Sequence, residues 1–183
     1  MKKSKFACGL LACGLVAAMT VPAFALDISA ADGSQAVPAV LTADAATFSV
    51  TVPTSLPITV NATGVVTTAE NAKIVNNSHG AVKVSNMSIA GAGGWATVDY
   101  DSANMAAEKV GAKKLAMTVN KDKTTGADQI SFTADNFPKM DGKNDADTDE
   151  LKLTYNAKIP AQANALSNET VANVTFVVGW DAQ

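Results

Sequence analysis

The chain has 183 residues, of which 48% are hydrophobic and 5% are aromatic, and its 14 basic residues against 17 acidic residues give a net charge of −3. That length suits one domain of ordinary size. All the basic residues are lysines, so the chain lacks the arginine forks and the net positive charge with which nucleic-acid-binding proteins hold phosphates. One histidine and two cysteines leave few side chains for metal or nucleophile chemistry. We therefore expect a non-enzymatic protein without a cofactor that does not bind nucleic acid.

The first 25 residues have the three parts of a secretory signal peptide. Lysines occupy positions 2, 3 and 5, residues 6–21 are almost wholly apolar or small, and Pro22-Ala23-Phe24-Ala25 has a small-x-small cleavage pattern. The apolar run of about 16 residues is shorter than the ~20 that a transmembrane helix needs. We expect cleavage after Ala25, location outside the cell or at its surface, and no transmembrane anchor in the mature chain.

Removal of this segment takes away three lysines and both cysteines, so the mature chain carries 11 − 17 = −6 charges and no thiol. An alternative is lipidation at Cys13, because Leu10-Leu11-Ala12-Cys13 loosely resembles a bacterial lipobox. A cysteine-free exported chain is common among Gram-positive bacteria, and its domain must be stable through packing alone.

Residues 26–46 are predicted to be a flexible leader. They are rich in alanine, aspartate and serine and contain no aromatic residue, so they can bury little apolar surface. Residues 36–41 (AVPAVL) are the one apolar stretch in this segment. One hypothesis is that this stretch adds as a strand to the open sheet edge of a neighbouring subunit. The alternative is a leader that is merely disordered.

From Thr47 onward the sequence consists of short β-prone runs separated by turn residues. Phe48 to Val52 alternates apolar and polar residues, which is typical of a half-buried strand. The next run has its apolar residues at Leu56, Ile58 and Val60. Pro53 and Pro57 bracket it, which predicts an edge strand or a strand next to one. The remaining predicted strands are 64–68, 72–76, 82–84, 87–89, 115–119, 130–132, 151–155 and 171–180, the last with Val174, Phe176 and Val178 on one face.

Residues 102–109 (SANMAAEK) are the only good helical stretch, with Ser102 as the candidate N-cap. Roughly nine or ten short strands without intervening helices predict an all-β fold. We expect residues 47–183 to form one antiparallel β-sandwich of the immunoglobulin-like or Greek-key type, with one short helix.

An acidic segment near residue 145 is a candidate calcium site. Asp145, Asp147 and Asp149 have the spacing of the first three ligands of a calcium-binding loop. An EF-hand is rejected, because its glycine and its last glutamate would fall at Glu150 and Asn156. A looser calcium site in a hairpin loop and a solvated acidic loop remain the alternatives.

The two tryptophans are the other candidate site residues. Trp95 and Trp180 would stack on sugars if they were exposed on one face, as in a carbohydrate-binding module. The alternative is that they pack in the core or cover the ends of strands, since tryptophan buries a large apolar area. The single histidine, His79, lies in a turn sequence and has no second histidine or cysteine to complete a zinc site.

Five segments occur in an order that resembles small secreted β-sandwich proteins of gut Firmicutes and, more distantly, WxL-type cell-surface domains. They are TFSVTVP at 47–53, NAKIVN at 71–76, Gly94-Trp95, LKLTYNAKI at 151–159 and VANVTFVVGWD at 171–181. The resemblance implies attachment to the cell wall and adhesion or assembly at the surface. Here Ala96-Thr97 and Asp181-Ala182 follow the two tryptophans, so neither is in a Trp-x-Leu motif.

The leading hypothesis is therefore an exported bacterial protein with a structural or adhesive role at the surface or in the extracellular matrix. Its partners would be cell-wall or surface proteins, or other copies of itself. The alternative is an extracellular module that binds carbohydrate or calcium.

Overall fold

The computed structural model describes residue 39, residues 41–143 and residues 147–181. The chain divides into two units, Met1–Ala43 and Asp44–Gln183. The predicted signal peptide and most of the predicted leader lie outside the described residues. Leader residues 39 and 41–46 are exposed and belong to no strand. No helix in the described ranges is long and apolar enough to cross a membrane.

The second unit is built from strands. Along the described chain they are β1 (Val50–Thr51), β2 (Ile58–Val60), β3 (Val66–Thr68), β4 (Lys73–Asn76), β5 (Val82–Gly91), β6 (Ala96–Thr97), β7 (Lys114–Val119), β8 (Asp122–Gly126), β9 (Gln129–Ile130), β10 (Glu150–Lys152), β11 (Tyr155–Lys158) and β12 (Ala172–Trp180). Three short 3₁₀ helices lie at Met105–Ala107, Ala134–Asn136 and Asp147–Asp149. The all-β class predicted from the sequence is confirmed.

The described strands form four sheets. β4 lies between β1 and β10 in an antiparallel three-stranded sheet. A five-stranded sheet has the order β11-β7-β8-β9, and β6 joins it by pairing with β7. β5 and β12 form a long antiparallel pair, while β2 and β3 form a short antiparallel hairpin. The pairing of β6 with β7 is parallel, whereas the other described strand pairs are antiparallel; the sandwich type stays a prediction.

Side chains from all four sheets contribute to one hydrophobic core. Ile74 of β4, Ile89 of β5 and Leu115 of β7 have no exposed surface. Ala116 and Met117, the next two residues of β7, are buried as well. Because successive side chains of a strand point to opposite faces, β7 is covered on both faces and is a central strand of the fold.

The helix predicted at residues 102–109 does not form. Only Met105–Ala107 is helical, as a 3₁₀ helix of three residues. Ser102 does not cap it: the backbone N–H and the hydroxyl of Ser102 both donate to Asp99 Oδ1, each at 2.8 Å. Asp99 therefore folds this segment into a local turn, and a stretch of two helical turns has too little propensity to resist it.

Buried polar side chains connect the loops to the strands. Asp122 of β8 is 2% exposed; it accepts hydrogen bonds from the Thr133 N–H (2.9 Å) and from Asn136 Nδ2 (2.6 Å). Asn76 of β4, with no exposed surface, donates to the carbonyls of Gly80 and Asp141. Within the described residues every buried side-chain polar atom has a partner, so these groups add specificity without leaving an unpaired donor or acceptor in the core.

Candidate functional site

The candidate site is one edge of β12. This strand pairs with β5 along its whole length, from Ala172 opposite Gly91 to Trp180 opposite Val82. In the part of the chain that the structure describes, no strand pairs with the opposite edge of β12. β12 is thus a nine-residue edge strand, and an edge strand presents a row of N–H and C=O groups that another chain can pair with.

The hydrogen bonds at the start of the pair show which backbone groups point to this edge. The Ala92 N–H donates to the Val171 carbonyl at 3.0 Å, toward β12. The Gly91 N–H points the other way and donates to Asp128 Oδ1 at 2.8 Å. Since bonding direction alternates along an antiparallel pair, odd-numbered residues of β12 bond to β5. The even-numbered residues direct their N–H and C=O groups to the unpaired edge: Ala172, Val174, Phe176, Val178 and Trp180.

A bulge in β5 does not disturb this alternation in β12. Val177 lies opposite Asn86 and Val178 lies opposite Val84, so Ser85 of β5 is the extra residue. β12 itself stays regular over all nine residues. At the far end the Asp181 N–H donates to the Ala81 carbonyl at 2.9 Å, which agrees with odd-numbered residues facing β5. The unpaired edge is therefore a continuous, regular template.

The side chains along this edge are apolar and incompletely covered. Val174, Phe176 and Val178 pack against the core but are only half-buried, as the shared face predicted from the sequence requires. Residues 170–180 contain no charged residue, and the flanking residues are Glu169 and Asp181. Natural edge strands are commonly protected by charges, prolines or bulges within the strand, and β12 carries none of these.

Trp180 closes the C-terminal end of β12. Its ring packs edge-on against Phe48 with 5.1 Å between ring centroids, and the two side chains are 39% and 43% exposed. Gly80 lies under the ring, since a Cβ at Gly80 would come within 2.8 Å of Trp180 Cζ3. Next to it, Lys83 forms an ion pair of 2.8 Å with Asp181 and holds the pKa of that carboxyl below its ordinary value.

Trp95 has a different environment at the N-terminal end of β12. It is 4% exposed, and its indole N–H donates to Glu169 Oε1 at 2.9 Å. Lys113 Nζ donates to the same oxygen and to the Gly93 carbonyl, both at 2.8 Å. The hydrogen bond from Lys113, followed by that from Trp95, lowers the pKa of the Glu169 carboxyl. This contact fixes the loop that leads into β12.

The two tryptophans predicted as ligand-stacking residues therefore lie at opposite ends of β12. The core-packing alternative describes Trp95, whose buried ring offers no free face to a sugar. Trp180 is partly exposed, but one side of its ring is taken up by Phe48 and Gly80. His79 is exposed in its turn. Phe48 and Glu169 were not singled out from the sequence, since each gains its role from a partner more than 70 residues away.

The predicted calcium ligands are described in part. Asp147 and Asp149 lie in the 3₁₀ helix that precedes β10, whereas Asp145 is outside the described residues. Among those that are described, no group of three or more histidine, cysteine, aspartate or glutamate side chains is placed to hold a metal ion. Calcium binding by this loop stays a prediction.

Comparison of the chain with models of protein families, with curated proteins and with solved structures found no match in any of the three. The described residues form an all-β structure, in which no described strand pairs with the outer edge of β12. The resemblance to WxL-type domains stays a prediction.

Proposed function

We propose that this chain is an exported, non-enzymatic structural or adhesive protein of a bacterial surface or extracellular matrix, whose copies associate by strand addition. The domain in this proposal is an antiparallel β-sandwich. Its partners are other copies of the chain or surface proteins that can supply a strand. The observation that carries the proposal is the unpaired edge of β12.

Two properties of β12 support the proposal that its unpaired edge binds another strand and does not simply face solvent. The strand offers backbone groups from five residues in regular alternation, so an added strand gains a full ladder of hydrogen bonds. It also leaves Val174, Phe176 and Val178 half-buried, so an added strand would cover apolar surface as well. A buried Val or Phe side chain contributes about 1.5–3 kcal/mol relative to an exposed one.

The test uses a proline that blocks the edge without breaking the existing sheet. The Val174 N–H points to the unpaired edge, so Val174→Pro removes one donor there and places the ring in the path of an added strand. The pairing of β12 with β5 keeps its hydrogen bonds. Val174→Ala is the matched control, because it also shortens the side chain but retains the N–H.

We expect the wild-type chain from residue 26 onward to form oligomers or fibres with rising concentration, and the alanine variant to do the same. The proline variant is expected to stay monomeric. Light scattering after size-exclusion chromatography and electron microscopy measure the assembly, and circular dichroism checks that each variant is folded. A wild-type chain that stays monomeric at all concentrations, or a folded proline variant that still assembles, contradicts the proposal.

A further inference from the structure

We infer that the strand added to β12 is the apolar segment 36–41 of a second copy of this chain, running antiparallel to β12. This inference rests on the proposed function and names the occupant of the edge. The reasons are the exposure of its two described residues, 39 and 41, the lack of charge in the segment and the position of its proline.

The leader provides an uncharged segment that matches the uncharged edge. Residues 34–43 contain no charged side chain, and Asp32 and Asp44 flank them. β12 lies in a similar uncharged stretch, 170–180. Burying a charge against a sheet edge costs free energy unless it is paired, so each stretch can lie along the other without that cost.

The two described residues of the segment, 39 and 41, are exposed. Leu41 is 87% exposed, which is the largest exposure among the large hydrophobic residues of the described chain. Residue 39 is exposed as well, and neither belongs to a strand. From the expected cleavage site to β1 the chain has 24 residues, 26–49. The segment takes six of these residues, and the eight that follow it, 42–49, connect it to β1 and can span at most about 26 Å, at about 3.3 Å per extended residue.

The position of Pro38 selects how the segment can pair. A proline has no N–H, so it is tolerated in an edge strand only where its nitrogen faces away from the neighbour. Val37, Ala39 and Leu41 then direct their N–H groups to β12, because bonding direction alternates along a strand. The backbone groups of Pro38 and Val40 then point to the other edge of the added strand, away from β12. There the proline also hinders the pairing of a further strand.

The orientation that points the Pro38 nitrogen away from β12 also determines on which face of the sheet the side chains of the added strand lie, and in which direction the strand runs. In an antiparallel pair, residues that bond to each other lie directly opposite and share a face. Val37, Ala39 and Leu41 would therefore lie beside Val174, Phe176 and Val178 and extend the core face of the sheet. A parallel addition with the proline facing outward would instead leave Val37 and Leu41 on the solvent face.

The test places a charge at two successive positions of the segment, whose side chains lie on opposite faces of a strand. Leu41→Lys puts an ammonium group on the face that packs beside β12, whereas Val40→Lys puts it on the outer face. We expect at least a tenfold rise in the concentration needed for assembly with Leu41→Lys, and no more than a twofold change with Val40→Lys. Both substitutions lie before β1, the first of the described strands, and circular dichroism checks that both variants remain folded.

A peptide supplies an independent measurement. The synthetic peptide SQAVPAVLTA, residues 34–43, should bind the chain and inhibit its assembly, while the same peptide with lysine for leucine at position 41 should not. Assembly that is blocked by Val174→Pro but is unaffected by Leu41→Lys overturns this inference and leaves the proposed function standing, with β12 paired to β12 of another copy. Assembly that neither substitution affects overturns both.

Discussion

At the scale of single residues, the carboxylate of Glu169 is held by two donors from different parts of the chain. The Lys113 ammonium and the Trp95 indole both bond to Oε1, and both lower the pKa of this carboxyl from its ordinary value of 4.5. A lowered folded-state pKa gives stability that is present above the unfolded-state value and is lost as the pH falls through the folded-state value. Glu169→Gln removes this titration but keeps a side-chain oxygen for Trp95.

We therefore expect the wild type to have a higher melting temperature than Glu169→Gln at neutral pH, with a difference that shrinks below about pH 4.5. Thermal unfolding followed by circular dichroism from about pH 7 down to about pH 3 measures it. Glu70→Gln, at an exposed position, is the control for the loss of one surface carboxylate. A difference between wild type and Glu169→Gln that is the same at every pH contradicts this role of the carboxylate.

At the scale of elements, the hairpin between β7 and β8 has a turn whose conformation does not suit its second residue. Asn120 and Lys121 have φ angles of 45° and 76° and form the two-residue loop between Val119 and Asp122. Such turns favour Asn-Gly, because glycine adopts positive φ without a steric cost. We expect Lys121→Gly to raise the free energy of unfolding by about 0.5–1 kcal/mol, measured by urea denaturation.

Asn120→Gly is the matched control for this hairpin. Asn120 Oδ1 accepts the Thr154 N–H at 2.8 Å, and Nδ2 donates to the Asn136 and Lys152 carbonyls. Glycine at this position relieves the backbone in the same way but leaves these groups without their partner. A loss of about 1–3 kcal/mol is expected. Destabilisation by Lys121→Gly to a similar extent would show that the lysine side chain, and not the turn conformation, determines the stability of the hairpin.

The same hairpin shows why part of the fold could not be predicted from the sequence. β8 was not predicted, because a strand is recognised by the alternation of apolar residues. The inward side chains of β8, Asp122 and Thr124, are polar. They are buried because partners satisfy them: Thr124 Oγ1 donates to the Val98 carbonyl at 2.7 Å and accepts the Met117 N–H at 3.1 Å. β12, in contrast, was predicted together with the face that Val174, Phe176 and Val178 share, since its alternation is local and apolar.

At the scale of the whole molecule, the all-β class was predictable because many short alternating runs without a helical period leave few other folds. The candidate site was predictable only in part. The apolar segment of the leader and the strand 171–180 could be recognised, but which edge of that strand stays unpaired depends on distant pairings. The exposure of the two tryptophans could not be predicted from the local sequence either. Each follows a glycine, yet Trp95 is buried and Trp180 is partly exposed.

The net charge predicts how salt acts on assembly. The whole chain has a charge of −3, and the expected mature chain has −6, so copies repel one another while the surfaces proposed to pair are uncharged. The flanking acids, Asp44 near the leader segment and Glu169 and Asp181 around β12, add to the repulsion between copies. Salt screens such repulsion over a Debye length of about 10 Å at 0.1 M. We expect the concentration needed for assembly to fall several-fold as sodium chloride rises from about 10 mM to about 300 mM.

Light scattering across that range of salt measures the concentration needed for assembly. Asp44→Asn is the comparison variant. It removes one acid beside the pairing segment, so its assembly should depend less on salt. An interface held together by ion pairs behaves in the opposite way, since salt screens attraction as well as repulsion. Dissolution of the assemblies by moderate salt would therefore contradict pairing through the uncharged edge of β12. It would indicate instead that the copies contact each other through the lysine and carboxylate side chains that surround that edge, such as those of Lys83 and Asp181 or Lys113 and Glu169.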